Sequence, residues 1–294
     1  MIEIQNLTKT YRGNVHALNG IDLNIGTGMF GLVGPNGAGK TTLMRILAGL
    51  LRASGGSVTV FGHSLATNAG RQSAKANLGY LPQDLGLYPN LNAYEFLDYM
   101  AILKGVTGKA ERGRQIEDLL DKVRLTDVAK RRLKTYSGGM KRRIGIAQAL
   151  IGNPRLLIVD EPTAGLDPEE RVRFRNLLSD MSSERTIILS THIVEDISQS
   201  CNDLAVIRAG RVQFRGSPAD LIERARGFVW LITTDKRPDD RLTIVSSLQL
   251  QHGVQYRVLG DPNGYSNAAA VEPSLEDGYM WLMQGRTAAV PERA

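Results

Sequence analysis

Short apolar runs alternate with helix-period patterns over the first ~215 residues of the chain. Three of these runs predict strands, at Met29–Val33, Leu156–Asp160 and Thr186–Ser190. The last two are continuously apolar, as is typical of strands covered on both faces of a parallel sheet. The pattern therefore predicts an α/β core built on a mainly parallel sheet with an antiparallel β edge.

A helical pattern interrupts this alternation at residues 88–129. Asn92 opens one helix, and a second helix is expected over residues 109–123. The flanking segments return to the α/β pattern on both sides. We therefore predict a helical subdomain, at about residues 85–145, inserted into the core.

The pattern changes again beyond residue 216. Ser217 followed by Pro218 is typical of a helix start, because serine caps the helix and proline fits its first position. Three strands and a closing helix are expected next, at residues 228–233, 242–250, 254–259 and 273–283. The sequence thus predicts two domains, 1–216 and 217–294, of which the second is a small α+β accessory domain.

The composition bears on the cellular compartment in which this chain acts. Its 294 residues are 42% hydrophobic, but no apolar run approaches the ~18 residues that a membrane span needs. The N-terminus lacks the layout of a signal peptide, and a single cysteine excludes an internal disulfide. We expect a cytoplasmic protein that reaches any membrane through a partner.

The net charge of +6 is concentrated in one segment. Residues 104–143 carry thirteen Lys/Arg against five Asp/Glu, a net charge of +8. This segment is either a solvated helical face or a surface for nucleic acid or anionic lipid. No aromatic residue interleaves with the basic cluster at residues 130–134, so a stacking surface for single strands is not expected.

The first motif that carries chemistry is a phosphate loop. The pattern G-x-x-x-x-G-K-[ST] is matched by Gly34-Pro35-Asn36-Gly37-Ala38-Gly39-Lys40-Thr41. It follows a predicted strand and opens a predicted helix over residues 41–51, which is the context that the motif requires. Its backbone N–H groups can surround phosphate oxygens, Lys40 can reach the β- and γ-phosphates, and the Thr41 hydroxyl can ligate Mg²⁺.

A second motif supplies the acidic half of such a site. The apolar run at residues 156–159 ends in Asp160 and Glu161. A buried strand in this position delivers Asp160 to the Mg²⁺ ion, and Glu161 is placed to accept a proton from an attacking water.

Five further elements establish a family resemblance. Tyr136-Ser137-Gly138-Gly139-Met140 resembles the LSGGQ signature of the ABC (ATP-binding cassette) ATPases, with Tyr and Met in place of Leu and Gln. Residues 162–167 resemble the D-loop of that family, Ser190-Thr191-His192 its switch histidine, and Gln83 its Q-loop glutamine. Tyr11 resembles its adenine-stacking aromatic residue. Together these elements cover residues 1–215 in the order of the family, whose fold is a phosphate-loop NTPase core.

The resemblance implies a head-to-tail dimer, with either an identical or a similar ATPase, that holds two ATP molecules and Mg²⁺ at its interface. One subunit would supply the catalytic Glu161, His192 and Gln83, and the Mg²⁺ ligands Thr41, Gln83 and Asp160. The other would supply Ser137 and Gly139 to the γ-phosphate. The implied nucleotide-binding set comprises residues 34–42 (with Thr42 as its last member), Tyr11, Ser137, Gly138, Gly139, Asp160 and Asp167.

The segment Ser137-Gly138-Gly139-Met140-Lys141-Arg142-Arg143 resembles the subfamily that energises ABC-2 type export permeases. This resemblance implies a subunit on the inner face of the cell membrane, held there by an integral membrane permease, with no direct contact to nucleic acid. Two alternatives remain: an importer ATPase, and a soluble ABC ATPase that acts on ribosomes or DNA. The single cassette and the 120 residues between Lys40 and Asp160, without sustained heptads, favour transport. Arg142 and Arg143 are either contacts to acids or nucleotide, or part of a solvated face.

Overall fold

The computed structural model describes residues 1–163 and 166–285. Its strands are β1 (Ile2–Tyr11), β2 (Val15–Ile25), β3 (Gly28–Val33), β4 (Gly55–Val60), β5 (His63–Ser64), β6 (Leu78–Leu81), β7 (Leu156–Asp160), β8 (Thr186–Thr191), β9 (Asp203–Arg208), β10 (Arg211–Gly216), β11 (Val229–Thr234), β12 (Thr243–Gln249), β13 (Val254–Leu259) and β14 (Ala269–Ala270). Its α-helices are α1 (Lys40–Leu47), α2 (Asn68–Ala76), α3 (Ala93–Leu103), α4 (Lys109–Lys122), α5 (Gly138–Leu150), α6 (Pro168–Met181), α7 (Val194–Ser198), α8 (Pro218–Glu223) and α9 (Leu275–Met283).

The predicted parallel core is confirmed. A six-stranded sheet runs in the order β10-β9-β3-β8-β7-β6, and its neighbours pair in parallel except for the β9–β10 hairpin. The predicted antiparallel edge extends further than this hairpin, because β2-β1-β4-β5 form a separate antiparallel sheet. Both packing faces of the central sheet are therefore covered, as its apolar strands require.

The core lies on both faces of the central sheet. Along β3, Met29 and Val33 belong to the hydrophobic cluster that includes the helical insert, whereas Phe30 and Leu32 belong to the cluster beneath the β1–β2 sheet. This alternation follows from the two-residue period of a strand. Because β3, β7 and β8 run parallel, they end at one edge of the sheet, where their following loops meet.

One helix is shorter than predicted. Helix α1 ends at Leu47 instead of residue 51, because Gly49 adopts a left-handed φ of 66°. The N–H groups of Gly49 and Leu50 then donate to the carbonyls of Ile46 and Arg45, at 2.9 Å each. These two bonds form a Schellman motif, which terminates the helix.

The helical insert comprises α3, α4 and α5. Asn92 caps α3 in a capping box with Glu95, as the start predicted at Asn92 requires. A bridge between Asn92 and Arg132 joins the start of α3 to the basic segment that precedes α5.

The C-terminal segment, residues 217–285, contains a four-stranded antiparallel sheet in the order β12-β13-β11-β14. Helix α8 begins at Pro218 after the Ser217 cap, as predicted. The closing helix begins at Leu275 instead of residue 273, because Ser274 caps it in a capping box with Asp277. Helix α9 packs on α8 and α7, which places the C-terminal sheet against the core.

Candidate functional site

A cleft of about 260 Å³ opens where β3, β7 and β8 end. It is lined by one residue of β2, by the phosphate loop and the start of α1, by the loops that follow β7 and β8, and by the Q-loop segment: Ala17, Asn36, Gly37, Ala38, Gly39, Lys40, Thr41, Thr42, Gln83, Glu161 and His192. The structure thus gathers most of the sequence-predicted site residues into one cavity.

The phosphate loop is shaped by close backbone contacts. A Cβ atom at Gly34 would lie 2.2 Å from the carbonyl oxygen of Ile207, and a Cβ at Gly39 would lie 2.5 Å from that of Ala17. Gly39 also has a φ of 109°, which favours glycine, and it directly precedes α1. The loop therefore directs its backbone to the N-terminus of α1, where N–H groups are available to an anion.

Lys40 is buried within this loop. Its Nζ donates to the carbonyl oxygens of Gly34, at 2.6 Å, and Pro35, at 3.1 Å. Burial lowers the pKa of Lys40, and the nearby Glu161 and Asp160 carboxylates oppose that shift. The ammonium group is thus fixed beside two acidic residues at the edge of the cleft.

Asp160, the last residue of β7, is only 1% exposed. Its Oδ1 accepts a hydrogen bond of 3.0 Å from the Ser190 hydroxyl, which lies on the paired strand β8. Burial raises the pKa of Asp160, while hydrogen bonds from Ser190 and Thr41 act in the opposite direction. The carboxylate and the Thr41 hydroxyl are therefore neighbours, as two ligands of one cation must be.

Glu161 and His192 form a pair at the cleft. The Nδ1 atom of His192 lies 2.5 Å from Oε2 of Glu161, a distance at which a protonated Nδ1 donates to the carboxylate. Glu161 has a left-handed φ of 50°, which is uncommon for a residue with a side chain. Its N–H donates to the Ser190 carbonyl at 3.0 Å, so the turn is tied to β8.

Gln83 is held from the helical insert. The guanidinium group of Arg142 on α5 donates to the backbone carbonyls of Gln83, at 2.8 Å, and Pro82, at 3.3 Å. The pKa of Arg142 is lowered mainly by burial, although nearby carboxylates oppose the shift. Arg142 therefore fits neither interpretation as stated, because it is partly buried and donates to backbone carbonyls, which join the signature helix to the Q-loop.

Tyr11 lies beside the cleft without lining it. Its side chain is 40% exposed, and its hydroxyl group lies 3.3 Å from that of Thr42. Lys9 lies over the ring, with Nζ 5.3 Å from the centroid.

The signature and the D-loop aspartate are not brought to this cleft. Ser137 caps α5 by accepting from the N–H of Met140, and Ser137 and Gly138 are both exposed. Asp167 is exposed as well, and it caps α6 by accepting from the N–H of Glu170. Ala164 and Gly165 of the predicted D-loop lie outside the described residues.

The tyrosine at the first signature position has a structural role. Tyr136 is buried, and its hydroxyl group donates to the carbonyl oxygen of Val128 at 3.0 Å. A leucine would fill part of this space without satisfying that carbonyl.

Comparison with known proteins agrees with this geometry. The model of the ABC transporter family matches residues 18–164. The chain belongs to the ABC transporter family. It is an ATP-binding subunit of this family, and its activity is ATP hydrolysis.

Three relatives show the extent of the similarity. An uncharacterized ABC transporter ATP-binding protein of Synechocystis sp. is 38% identical over 238 residues, which cover 78% of this chain and 66% of that protein. The Nod factor export ATP-binding protein I of Cupriavidus pinatubonensis is 40% identical, over 77% of this chain and 69% of that protein. The linearmycin resistance ATP-binding protein LnrL of Bacillus subtilis is 36% identical, over 77% and 72% respectively.

Solved structures of ABC cassettes share the fold. A dimeric cassette in a post-hydrolysis state, bound to ADP and Pi, has a TM-score of 0.68 and 25% identity. The alignment covers 74% of this chain and 98% of that cassette. Within the described residues, no helix is long and apolar enough to cross a membrane.

Proposed function

We propose that the cleft binds ATP through the phosphate loop and that Glu161 is the general base for its hydrolysis. The observation that supports this assignment is the Glu161–His192 pair, which lines the cleft together with Lys40 and Thr41. A carboxylate at this position can take a proton from water as the water attacks the γ-phosphate. His192 would fix the orientation of that carboxylate.

The oxygen atoms that this site offers as metal ligands fit Mg²⁺. The Asp160 carboxylate, the Thr41 hydroxyl and the Gln83 amide all offer oxygen, which is the ligand atom that Mg²⁺ prefers. A bound Mg²⁺ would neutralise charge on the β- and γ-phosphates. Ser190 would hold the Asp160 carboxylate in place through its 3.0 Å hydrogen bond.

The exposed signature supports a head-to-tail dimer of this chain. Ser137 and Gly138 lie at the N-terminus of α5, where N–H donors and the helix dipole favour an anion. Since they do not line the cleft of their own chain, we infer that they bind the γ-phosphate held by a second copy. Closure of this dimer on ATP and its release after hydrolysis would supply the mechanical step.

A membrane permease is the partner that we propose for the helical insert. Four exposed apolar side chains lie together on or beside α3: Tyr88, Tyr99, Ile102 and Leu103. The rings of Tyr88 and Tyr99 contact edge to face at 5.6 Å, and Leu103 is one helical turn from Tyr99. Such a patch is typical of a surface for another protein. Export is the direction we propose, because relatives of this chain carry Nod factor export and linearmycin resistance in their names.

One experiment tests the base and the dimer together. Glu161→Gln should retain ATP binding, lose hydrolysis by at least ~10²-fold and form a stable dimer with ATP–Mg²⁺ in size-exclusion chromatography. Glu184→Gln is the matched control, because Glu184 is an exposed carboxylate outside the cleft. A Glu161→Gln protein that hydrolyses ATP at the wild-type rate would refute the role of Glu161 as base.

The second arm adds Gly138→Asp to Glu161→Gln. A Cβ atom at Gly138 meets nothing within 4 Å, so the aspartate fits the folded chain but places a carboxylate against the γ-phosphate of the second copy. The double variant should remain monomeric with ATP, whereas Gly113→Asp on α4, at another open glycine, should still dimerise. Dimers of equal stability in both cases would count against the head-to-tail arrangement.

The partner is tested by purifying tagged Glu161→Gln protein from membranes of the source cell in ATP. A polytopic membrane protein in the eluate is the expected result. Ribosomal or chromosomal proteins without a permease would leave the ATPase assignment intact and overturn the transport partner.

A further inference from the structure

A buried carboxylate lies behind the Glu161–His192 pair. Asp196, on α7, is 1% exposed. Its Oδ2 accepts a hydrogen bond of 2.6 Å from the Thr163 hydroxyl, and its Oδ1 accepts one of 3.2 Å from Nη1 of Arg175. A carboxylate removed from water requires such partners, because an uncompensated buried charge is strongly unfavourable.

These contacts join the two loops that carry the pair. Thr163 lies two residues after Glu161, and Asp196 lies four residues after His192. The loop after β7 is therefore connected twice to the segment that follows β8, once at His192 and once at Asp196 on α7. The first connection is the 2.5 Å contact between Glu161 and His192, and the second is the Thr163–Asp196 hydrogen bond behind it.

The position of α7 is set by its neighbours. Ile197, next to Asp196, fits against Gly31 of β3, where a Cβ atom would lie 2.8 Å from its Cδ1. The N–H of Ile193 donates to the Thr191 hydroxyl at 2.9 Å, which turns the chain between His192 and the helix. The packing of Ile197 against Gly31 fixes the distance of α7 from the sheet. Asp196 connects α7 to the segment after Glu161.

Arg175 extends this link to α6. That helix is capped by Asp167. The Arg175 side chain is 17% exposed and donates to the carboxylate that also accepts from Thr163. One buried carboxylate thus joins α6, α7 and the loop after β7.

We propose that Asp196, through Thr163, is a positioning residue that holds Glu161 and His192 in the relative position that hydrolysis requires. Glu161 adopts a left-handed backbone conformation, which is unfavourable for a residue with a side chain and persists only where surrounding contacts over-determine it. The Thr163–Asp196 bond is one of those contacts. The inference rests on the proposed roles of Glu161 and His192.

The test removes the Thr163 hydroxyl while it preserves side-chain shape. In the purified full-length chain, Thr163→Val should lower kcat for ATP hydrolysis by about 10–100-fold, because small displacements of reacting groups cost rates of this order. The KM for ATP should change little, since neither Thr163 nor Asp196 lines the cleft. Thr163→Ser, which retains the hydroxyl, should restore most of kcat.

A double-variant cycle separates positioning from general destabilisation. If Thr163 acts through the pair, Thr163→Val should lower kcat by less than about 2-fold in a His192→Ala background. An equal fold-loss in both backgrounds would overturn the positioning role, as would an unchanged kcat with a raised KM. Should Thr163→Val not fold, Asp196→Asn, which keeps the side-chain volume, replaces it in the same cycle with the same expected result.

The cycle also distinguishes this inference from the function it rests on. A His192→Ala protein with wild-type kcat would refute the role of His192 itself. An impaired His192→Ala protein whose loss multiplies with that of Thr163→Val would refute only the positioning role.

Discussion

The buried ion pair of the C-terminal segment permits a sharp stability prediction. Asp277 on α9 is fully buried, and its carboxylate accepts from the guanidinium group of Arg257 on β13. The distances are 3.0 Å from Nε to each carboxylate oxygen and 2.6 Å from Nη2 to Oδ2. Oδ2 also accepts from the backbone N–H and the hydroxyl of Ser274, at 2.6 and 2.7 Å. Asp277 therefore joins the cap of α9 to the sheet.

The change to make is Asp277→Asn. Removing one partner of a buried ion pair costs about 3–5 kcal/mol, because the other charge is left unpaired. Here the Arg257 side chain is 23% exposed, so water can reach part of the guanidinium group, and asparagine retains one acceptor oxygen. We therefore expect the free energy of unfolding of this segment to fall by about 2–3 kcal/mol.

Tryptophan fluorescence reports on this segment selectively. The chain has two tryptophans, Trp230 and Trp281, and both lie beyond residue 216. With a urea m-value of about 1–2 kcal/mol/M for so small a unit, the midpoint of the fluorescence transition should fall by roughly 1–3 M. Glu276→Gln is the matched control, since this exposed neighbour on α9 should change stability by less than about 0.5 kcal/mol.

Equal midpoints for Asp277→Asn and Glu276→Gln would refute the stabilising role of the ion pair. The same titration tests the proposed domain boundary at residues 216 and 217. If the boundary is right, the fluorescence midpoint should shift while the loss of ATP binding, followed in parallel, does not. A common shift of both signals would mean that the C-terminal segment and the core unfold together.

Two further predictions concern the core. Burial raises the pKa of the Cys201 thiol to about 12. At pH 8, therefore, only ~10⁻⁴ of the folded protein carries the reactive thiolate, whereas roughly a quarter of the unfolded chain does. Alkylation of this single cysteine by iodoacetamide, followed by mass spectrometry, should therefore be about 10³-fold slower in buffer than in urea, and comparable rates would show that the thiol is accessible. Because the pKa of this thiol is higher in the folded chain than in the unfolded chain, the free energy of unfolding should fall as the pH rises through about 9 towards 12. Arg142→Met, which removes the donors to the Pro82 and Gln83 carbonyls, should lower kcat for ATP hydrolysis by about 10-fold at saturating ATP, and a wild-type kcat would show that the Q-loop is held without Arg142.

The main elements of the core could be predicted from the sequence because their signals are local. Continuous apolar runs gave the positions of β7 and β8, and the residues after them follow from the chain order. The phosphate-loop motif likewise needs only a strand before it and a helix after it. Its roles for Lys40 and Thr41 depend on an eight-residue pattern, and the structure places both residues in the cleft.

Contacts between side chains distant in sequence could not be predicted in this way. Thr163 and Asp196 are 33 residues apart, and neither belongs to a periodic pattern that would mark it as buried. The acidic Asp196 resembles a solvated helical residue when only the sequence is read. Arg142 was open to two interpretations for the same reason, because its partners are backbone carbonyls 59 and 60 residues away.

Element ends depend on backbone conformations that periodicity does not encode. The apolar pattern of α1 continues through Leu50 and Leu51, yet the left-handed Gly49 ends the helix first. The separation of β1, β2, β4 and β5 into a sheet of their own is likewise a matter of pairing. Strand patterns show that a strand exists, whereas the identity of its neighbours is a long-range property.

Backbone strain points to the same site independently of any motif. Seven non-glycine residues with positive φ occur in the described part of the chain, and three of them are asparagines, which tolerate this conformation. Three others, Phe61, Arg124 and Ala209, lie in turns between elements or just after a helix end. Glu161 differs from them, because it follows a fully buried parallel strand and its carboxylate lies in the cleft beside His192. A strained glutamate in this position, tied by its N–H to Ser190 and followed by the buried Thr163–Asp196 bond, is what a preorganised base requires. The strain and the bonds that maintain it therefore support the assignment of Glu161 on grounds separate from its place after Asp160.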